Sequence, residues 1–310
     1  MNYLILGSAG FIGKNLVKEL SVNKENNLVL FDRVSSGFNE IKNCKEIIGE
    51  FSNKYDFESL LDDIDIVIHL ISTSSPNSNE SLVQGIEENV VPTLKLLDAC
   101  VTKKIKKFVF ISSGGTVYGD SYGKPFKEND YCNPICSYGI QKLTIEKYLH
   151  LYYHKYNLDY SIIRLSNPYG PGQNPNGQVG AICVFLSKVI RNEKITIFGD
   201  GSNVRDYIYI DDAVKGIINI SNCMSNNKVY NLGSGEGTSL NNILEYIKTI
   251  CDNDVNIVYL PQRINDLDYS VLNIERYQEQ FLNHNFMSIK VGIGIMYDYL
   301  CSYYKKKESD

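Results

Sequence analysis

Tyr138 and Lys142 lie four residues apart in the run Tyr-Gly-Ile-Gln-Lys. On a helix that spacing puts a phenol and an ammonium on one face, about 5–6 Å apart at Cβ. A cation beside a phenol favours the phenolate and lowers its pKa from about 10 toward neutrality. The expected result is a general base: Tyr138 takes a proton from a substrate hydroxyl, and Lys142 tunes it. The chain holds 23 tyrosines, and Tyr303 and Lys307 repeat the spacing in a merely charged C-terminal stretch. What sets Tyr138 apart is its place, opening a helix after an apolar strand and its loop.

That strand, Phe108-Val-Phe-Ile-Ser112-Ser113, runs into Gly114-Gly115-Thr116-Val117-Tyr118-Gly119. Hydroxyls at the carboxyl end of such a strand sit where α/β sheets hold ligands. Either Ser113 or Thr116 is expected to hydrogen-bond the reacting oxygen.

An electron acceptor for that base is suggested at the N-terminus. Tyr3-Leu-Ile-Leu leads into Gly7, Gly10 and Gly13, followed by a helical pattern through Leu20. Gly7 makes the turn off the strand, Gly10 lets backbone N–H groups approach a pyrophosphate, and Gly13 lets the helix pack closely on the sheet. The second strand ends in Asp32, where an adenosine ribose offers hydroxyls. The combination predicts dinucleotide binding. Asp32 favours NAD by repelling a 2′-phosphate, a repulsion that Arg33 partly offsets.

These residues need elements to carry them. Apolar strands at 2–6, 27–32, 44–48, 65–70, 107–112 and 160–165 alternate with helical stretches at 11–21, 55–62, 84–102 and 138–156. Strands apolar on both faces need helices on both sides, which predicts a Rossmann-type, doubly wound parallel α/β sheet. Residues 167–180 are dense in Gly, Pro and Asn and read as a long ordered loop. Helices at 181–192, 211–222 and 239–251 and strands at 195–198, 229–232 and 256–260 then make a smaller, mixed lobe. The expected division is a dinucleotide-binding domain over 1–166, with returning segments near 205–235, and a substrate lobe over 167–204 and 236–310. Lys305–Asp310 reads as a frayed tail.

Composition narrows the function. The 310 residues are 43% hydrophobic and 22% charged, with a net charge of −5, as in soluble globular proteins. That balance gives no general attraction to nucleic acid or to an anionic membrane, so an anionic substrate needs specific arginines. The longest apolar runs, such as 64–71, have strand length rather than bilayer length. Residues 1–6 lack the pattern of a secretory signal. The eight cysteines are scattered; Cys132 with Cys136 fits no zinc spacing, and His150 with His154 reads as a surface pair. No metal site is expected, and the expected setting is the reducing cytoplasm.

With these motifs in this order, the chain resembles the extended short-chain dehydrogenase/reductase family, specifically nucleotide-sugar epimerases of the UDP-glucose 4-epimerase type. The likeness covers residues 2–270. Beyond the glycine turn, Asp32 and the Tyr138/Lys142 pair it includes Val67-Ile-His-Leu-Ile71, Asn89 within Glu-Asn-Val-Val-Pro-Thr, and Ser112 to Gly119. It continues through Arg164-Leu-Ser-Asn167-Pro-Tyr-Gly170, Phe198-Gly-Asp-Gly201, Arg205-Asp206-Tyr207-Ile208 and Asp211-Asp212-Ala213.

The resemblance implies NAD as cofactor, with Phe11 and Ile12 against the pyrophosphate and Glu50 and Phe51 against the adenine. Leu70, Ile71, Ser72, Thr73 and Ser74 would line the nicotinamide side, and Lys142 would hold the nicotinamide ribose. Asn89, Ser112 and Ser166 join the implied cofactor contacts. Ser74, Gly114, Asn167, Arg205 and Arg263 are implied on the sugar nucleotide, the two arginines at its pyrophosphate. A homodimer joined through the helices at 84–102 and 138–156 is implied as well.

Departures refine that picture. Family members usually carry Ser or Thr where Gly114 stands, so the hydroxyl role passes to Ser113, Thr116 or a water. Dehydrating and decarboxylating relatives carry an acid in the stretch occupied here by Gly115 and Thr116, which disfavours both chemistries. Glu50 replaces the usual aspartate, and the customary Leu-Gly-Trp near the C-terminus is missing. The implied activity is 4-epimerisation of a nucleotide-diphosphate hexose through a transient 4-keto sugar, with surface polysaccharide synthesis as the family's setting. Two alternatives stay open: an NAD(P)H-dependent reductase of an NDP-4-keto-6-deoxyhexose, and a non-catalytic NAD-binding scaffold.

Overall fold

The computed structural model describes residues 1–76, 81–121, 123–177, 180–251, 255–263, 266–282 and 285–309. The chain forms two compact units: 1–119 with 131–164 and 214–230, and 120–130 with 165–213 and 231–310.

In the first unit the apolar runs become β1 (Asn2–Leu6), β2 (Asn27–Asp32), β3 (Cys44–Ile48), β4 (Ile66–His69), β5 (Lys107–Ser113) and β6 (Tyr160–Leu165). The sheet is seven-stranded, ordered β3-β2-β1-β4-β5-β6 with Val229–Leu232 beyond β6. β1 pairs in parallel with both β2 and β4, so that Leu4 stands opposite Val29 on one side and Val67 on the other. The order reverses at β1, and the carboxyl ends of β1 and β4 therefore flank the crevice where such sheets bind ligands. Leu4, Leu6, Phe31, Val67, Phe108 and Phe110 are buried in one cluster with Leu96 and Ile145 from the covering helices.

The helices follow their sequence signals with two exceptions. α1 (Phe11–Leu20) starts at the glycine turn. The expected helix at 55–62 is only a 3-10 turn, Phe57–Leu60, capped by the Asp56 carboxylate, because the segment is too short to sustain a full helix. The expected helix at 84–102 begins earlier and is interrupted: α2 (Leu82–Gly85), a π-helical turn (Ile86–Val90), then α3 (Val91–Thr102). Pro92 has no N–H to offer the turn before it, which makes the wider turn possible. α4 (Ser137–Tyr156) ends on Asn157 in the left-handed conformation.

In the second unit Val204–Tyr209 pairs antiparallel with Gly237–Ser239 and parallel with Asn167–Tyr169 and Tyr269–Ser270. The expected loop at 167–180 thus opens as a strand; Gln178 and Val179 lie outside the described residues. Ile195–Phe198 pairs in parallel with Ile257–Leu260. Buried Asp206 organises this unit, accepting the N–H groups of Ser234, Gly235 and Leu272 and the Ser234 hydroxyl. The C-terminal stretch is not a frayed coil: Ile289–Ser309 is one helix, whose buried Ile293, Met296 and Leu300 anchor it.

Candidate active site

The glycine turn is built by contacts that no side chain would permit. Gly7 has φ +90° and donates its N–H to the Phe31 carbonyl at 2.9 Å. A Cβ on Gly13 would stand 2.1 Å from the Gly7 oxygen, so only glycine lets α1 start this close to the turn. The first turn of α1 has neither a side-chain cap nor an acidic residue, leaving the N–H groups around Phe11, Ile12 and Gly13 to an anion. Asp32 accepts from Ala9 N–H at 3.0 Å and from Arg33 N–H at 2.8 Å, which fixes its carboxylate against the turn. The Arg33 side chain is exposed. Backbone donors for a pyrophosphate and an anchored carboxylate for ribose hydroxyls fit a dinucleotide. Glu50 is exposed, whereas the Phe51 ring turns inward onto His69 and Phe57, with centroids 5.1 and 5.3 Å away.

The end of β4 abuts the turn: a Cβ on Gly7 would lie 3.2 Å from both the Leu70 Cβ and the Ile71 nitrogen. From there the chain is tied to α4 by amides. The π turn presents Asn89, which accepts Thr73 N–H and donates to the Ser74 hydroxyl, the Gly85 carbonyl and Gln141 Oε1, all at 2.8–3.1 Å. Ser74 also donates to Gln141 Oε1 at 2.9 Å. Gly85 makes room for that amide, since a Cβ would stand 2.2 Å from Gln141 Nε2. Ile71, Ser72, Asn89, Tyr138, Gln141 and Lys142 line a crevice beside α4.

Three residues of α4 meet three successive residues at the end of β5. The Ser113 hydroxyl hydrogen-bonds the Tyr138 phenol. Lys142 Nζ donates to the Ile111 carbonyl at 2.9 Å, and Ser112 donates to Glu146 Oε1 at 2.5 Å. Of the two hydroxyls expected near the base, Ser113 is the one brought to it. The Thr116 Oγ1 is buried and finds no hydrogen-bond partner among the described residues. Gly114 is buried, and Gly139 lets the loop close on α4, since a Cβ there would stand 2.7 Å from the Thr116 oxygen.

The electrostatics correct one expectation. Rather than being lowered by Lys142, the Tyr138 pKa is pushed up to about 12, because burial outweighs the Ser113 hydrogen bond. Lys142 is itself pushed down to about 8 by burial, against the pull of Glu146. Its ammonium sits 4.8 Å from the Phe110 centroid and 5.6 Å from that of Tyr138. Buried His69 is held neutral, pushed down to about 3 by burial and by Lys142.

The remaining residues belong to the second unit. Asn167 donates to the Asp206 carbonyl at 2.8 Å. Arg205 is paired with Asp266 at 2.6 Å, and Arg263 lies 3.8 Å over the Phe198 ring. The Ser166 hydroxyl is buried without a partner among the described residues.

Sequence reasoning missed Gln141, Glu146 and Arg164 as parts of the site. A signal existed for two of them. Arg164 is a lone charge in the buried strand Tyr-Ser-Ile-Ile-Arg-Leu, which demands a buried partner, and Glu146 stands one turn past Lys142.

Nucleotide cradle, phenol, lysine and hydroxyl on one doubly wound sheet define a short-chain dehydrogenase/reductase type of enzyme. The sequence model of the NAD dependent epimerase/dehydratase family matches residues 3–233, and the chain belongs to that family. It is 35% identical to a putative UDP-glucose 4-epimerase of Methanocaldococcus jannaschii, over 79% of this chain and 81% of that one. It is 34% identical to a dTDP-4-dehydro-6-deoxyglucose reductase of Escherichia coli, over 79% and 80%. The crystal structure of UDP-glucose 4-epimerase from Thermotoga maritima with UDP-glucose superposes with a TM-score of 0.91, at 31% identity, over 98% of this chain and 100% of that one.

Proposed function

We propose that this chain is an NAD-dependent 4-epimerase of a nucleotide-diphosphate hexose, with Tyr138, Ser113 and Lys142 as its catalytic residues. The observation that carries the proposal is the phenol–hydroxyl contact on a helix whose lysine lies one turn away. Tyr138 takes the proton of the sugar 4-hydroxyl, and Ser113 orients it. Lys142 keeps a positive charge in the crevice below pH about 8. NAD supplies the electron acceptor and donor for C4 and, when oxidised, a positive charge that favours the phenolate. After the 4-keto sugar turns its other face, the phenol returns the proton. We assign the pyrophosphate of the sugar nucleotide to Arg205 and Arg263, whose forks suit bidentate capture. The first unit is then the cofactor unit and the second the sugar-nucleotide unit.

The reductase of the same chemistry is the second reading, favoured by the Escherichia coli relative. The nucleotide that co-purifies decides between them. Heat release of NAD in near-stoichiometric amount is expected. An empty protein that oxidises NADPH with a 4-keto sugar would replace the epimerase with the reductase.

We also propose a homodimer in the cytoplasm, serving the supply of sugars for surface polysaccharide. Support for the dimer is the apolar outer face of the helices beside the site: Leu82, Val83, Ile86, Ile140 and Leu151 are each 49–69% exposed. Sedimentation at micromolar concentration is expected to give a dimer; a monomer there removes that assignment. Among the described residues no helix is long and apolar enough to cross a membrane.

A further inference from the structure

We infer that the buried Arg164–Glu146 pair is a positioning device for the loop that carries Ser113, holding it at both ends so that its hydroxyl stays on Tyr138. Arg164 comes from β6 and Glu146 from α4, and both are buried. The guanidinium binds the carboxylate through Nε at 3.1 Å and through Nη2 at 2.7 Å, to separate oxygens. Each partner then reaches one end of the loop. At its start Ser112 donates to Glu146 Oε1. At its far end Arg164 Nη1 donates to the Tyr118 hydroxyl at 2.9 Å, and the guanidinium lies 4.7 Å over that ring.

What lies between explains why two anchors are needed. Gly114 and Gly115 are adjacent, and glycine has more backbone freedom to lose than any other residue. Nothing lies within 4 Å of where a Cβ on Gly115 would stand, so no neighbour packs on that residue. Ser113 sits immediately before this soft pair, and its contact with Tyr138 depends on the ends being fixed. A buried ion pair is a poor source of net stability, since desolvation offsets its attraction, but its fork geometry fixes direction. That is the property a diglycine loop lacks.

The catalytic consequence rests on the epimerase reading; the restraint of the loop does not. Removing Glu146 or Arg164 would strand a buried charge and risk the fold. Tyr118→Phe and Ser112→Ala instead each cut one anchor and leave the pair intact. Hydrogen–deuterium exchange of the amides at 113–117 is measured on the full chain with its cofactor, beside wild type. Each variant is expected to exchange there about tenfold faster. With UDP-glucose, kcat is expected to fall about tenfold while KM moves less than about twofold. Gly115 has φ outside the left-handed region and open space around it, so adding Gly115→Ala to Tyr118→Phe is expected to recover about threefold in kcat by stiffening the loop. Folded variants with unchanged exchange at 113–117 overturn the inference, as does faster exchange with kcat intact. If wild type converts no nucleotide sugar, the epimerase reading fails, and the exchange data still decide whether the pair restrains the loop.

Discussion

Tyr138→Phe is expected to lower kcat by roughly 10²–10⁴-fold while the protein keeps its NAD and its fold. The substitution deletes one oxygen and leaves the ring, with Lys142 still 5.6 Å from its centroid. Among the described residues, neither His69 nor Ser113 can replace that oxygen as a base. His69 is buried and neutral with its Nε2 on Thr93, and the Ser113 hydroxyl is too weak an acid to hold a negative charge. Burial makes the phenol a poorer acid in the resting protein, so ionising it must be driven by positive charge. Loss of Lys142 should therefore act on kcat through the same oxygen. Steady-state rates with UDP-glucose, together with the NAD content of the purified variant, check this. A phenylalanine variant within tenfold of wild type would remove Tyr138 as the base.

Gly13→Ala should be nearly as damaging, by a different route. Its Cβ would stand 2.1 Å from the Gly7 oxygen and 2.8 Å from the Ser8 Cα, both backbone and unable to swing aside. Either α1 retreats or the turn opens, and both pull the helix N-terminus out of line with a pyrophosphate. The expected outcome is loss of co-purified NAD on gel filtration and a destabilisation of about 1–3 kcal/mol. Gly10→Ala is the control for stability alone, because its Cβ would meet only the Gly7 oxygen, at 3.3 Å, so the fold is expected to be spared even where the approach of a pyrophosphate is hindered. A Gly13→Ala protein that keeps stoichiometric NAD would contradict the close-approach argument.

The parts of the molecule that were legible in the sequence are those set by local patterns. The central strands of the parallel sheet are largely apolar runs, and the glycine turn carries its geometry in its spacing, so both were readable without a structure. The strand Val204–Tyr209 was missed because the adjacent charges of Arg205 and Asp206 interrupt its apolar pattern and it gains its partners from far along the chain. The C-terminal helix was missed because Gly292 and Gly294 break its helical propensity. One of them is required by contact, since a Cβ on Gly292 would stand 2.2 Å from the Tyr169 hydroxyl oxygen.

At the site, the spacing of Tyr138 and Lys142 correctly put them on one helix face. It said nothing about solvent, and solvent reversed the sign of the tyrosine shift. Likewise Asn89 and Ser74 were recognisable as site residues, but their joint commitment to Gln141 depends on a π turn that no periodicity announces.

Conversion of a sugar nucleotide without added cofactor tests the central claim most directly. The purified protein is incubated separately with UDP-glucose, UDP-N-acetylglucosamine and their galacto epimers, and the products are resolved by configuration at C4. The account predicts that at least one pair interconverts from both directions, with no net oxidation or reduction. Protein that carries NAD yet interconverts none of these pairs would contradict it.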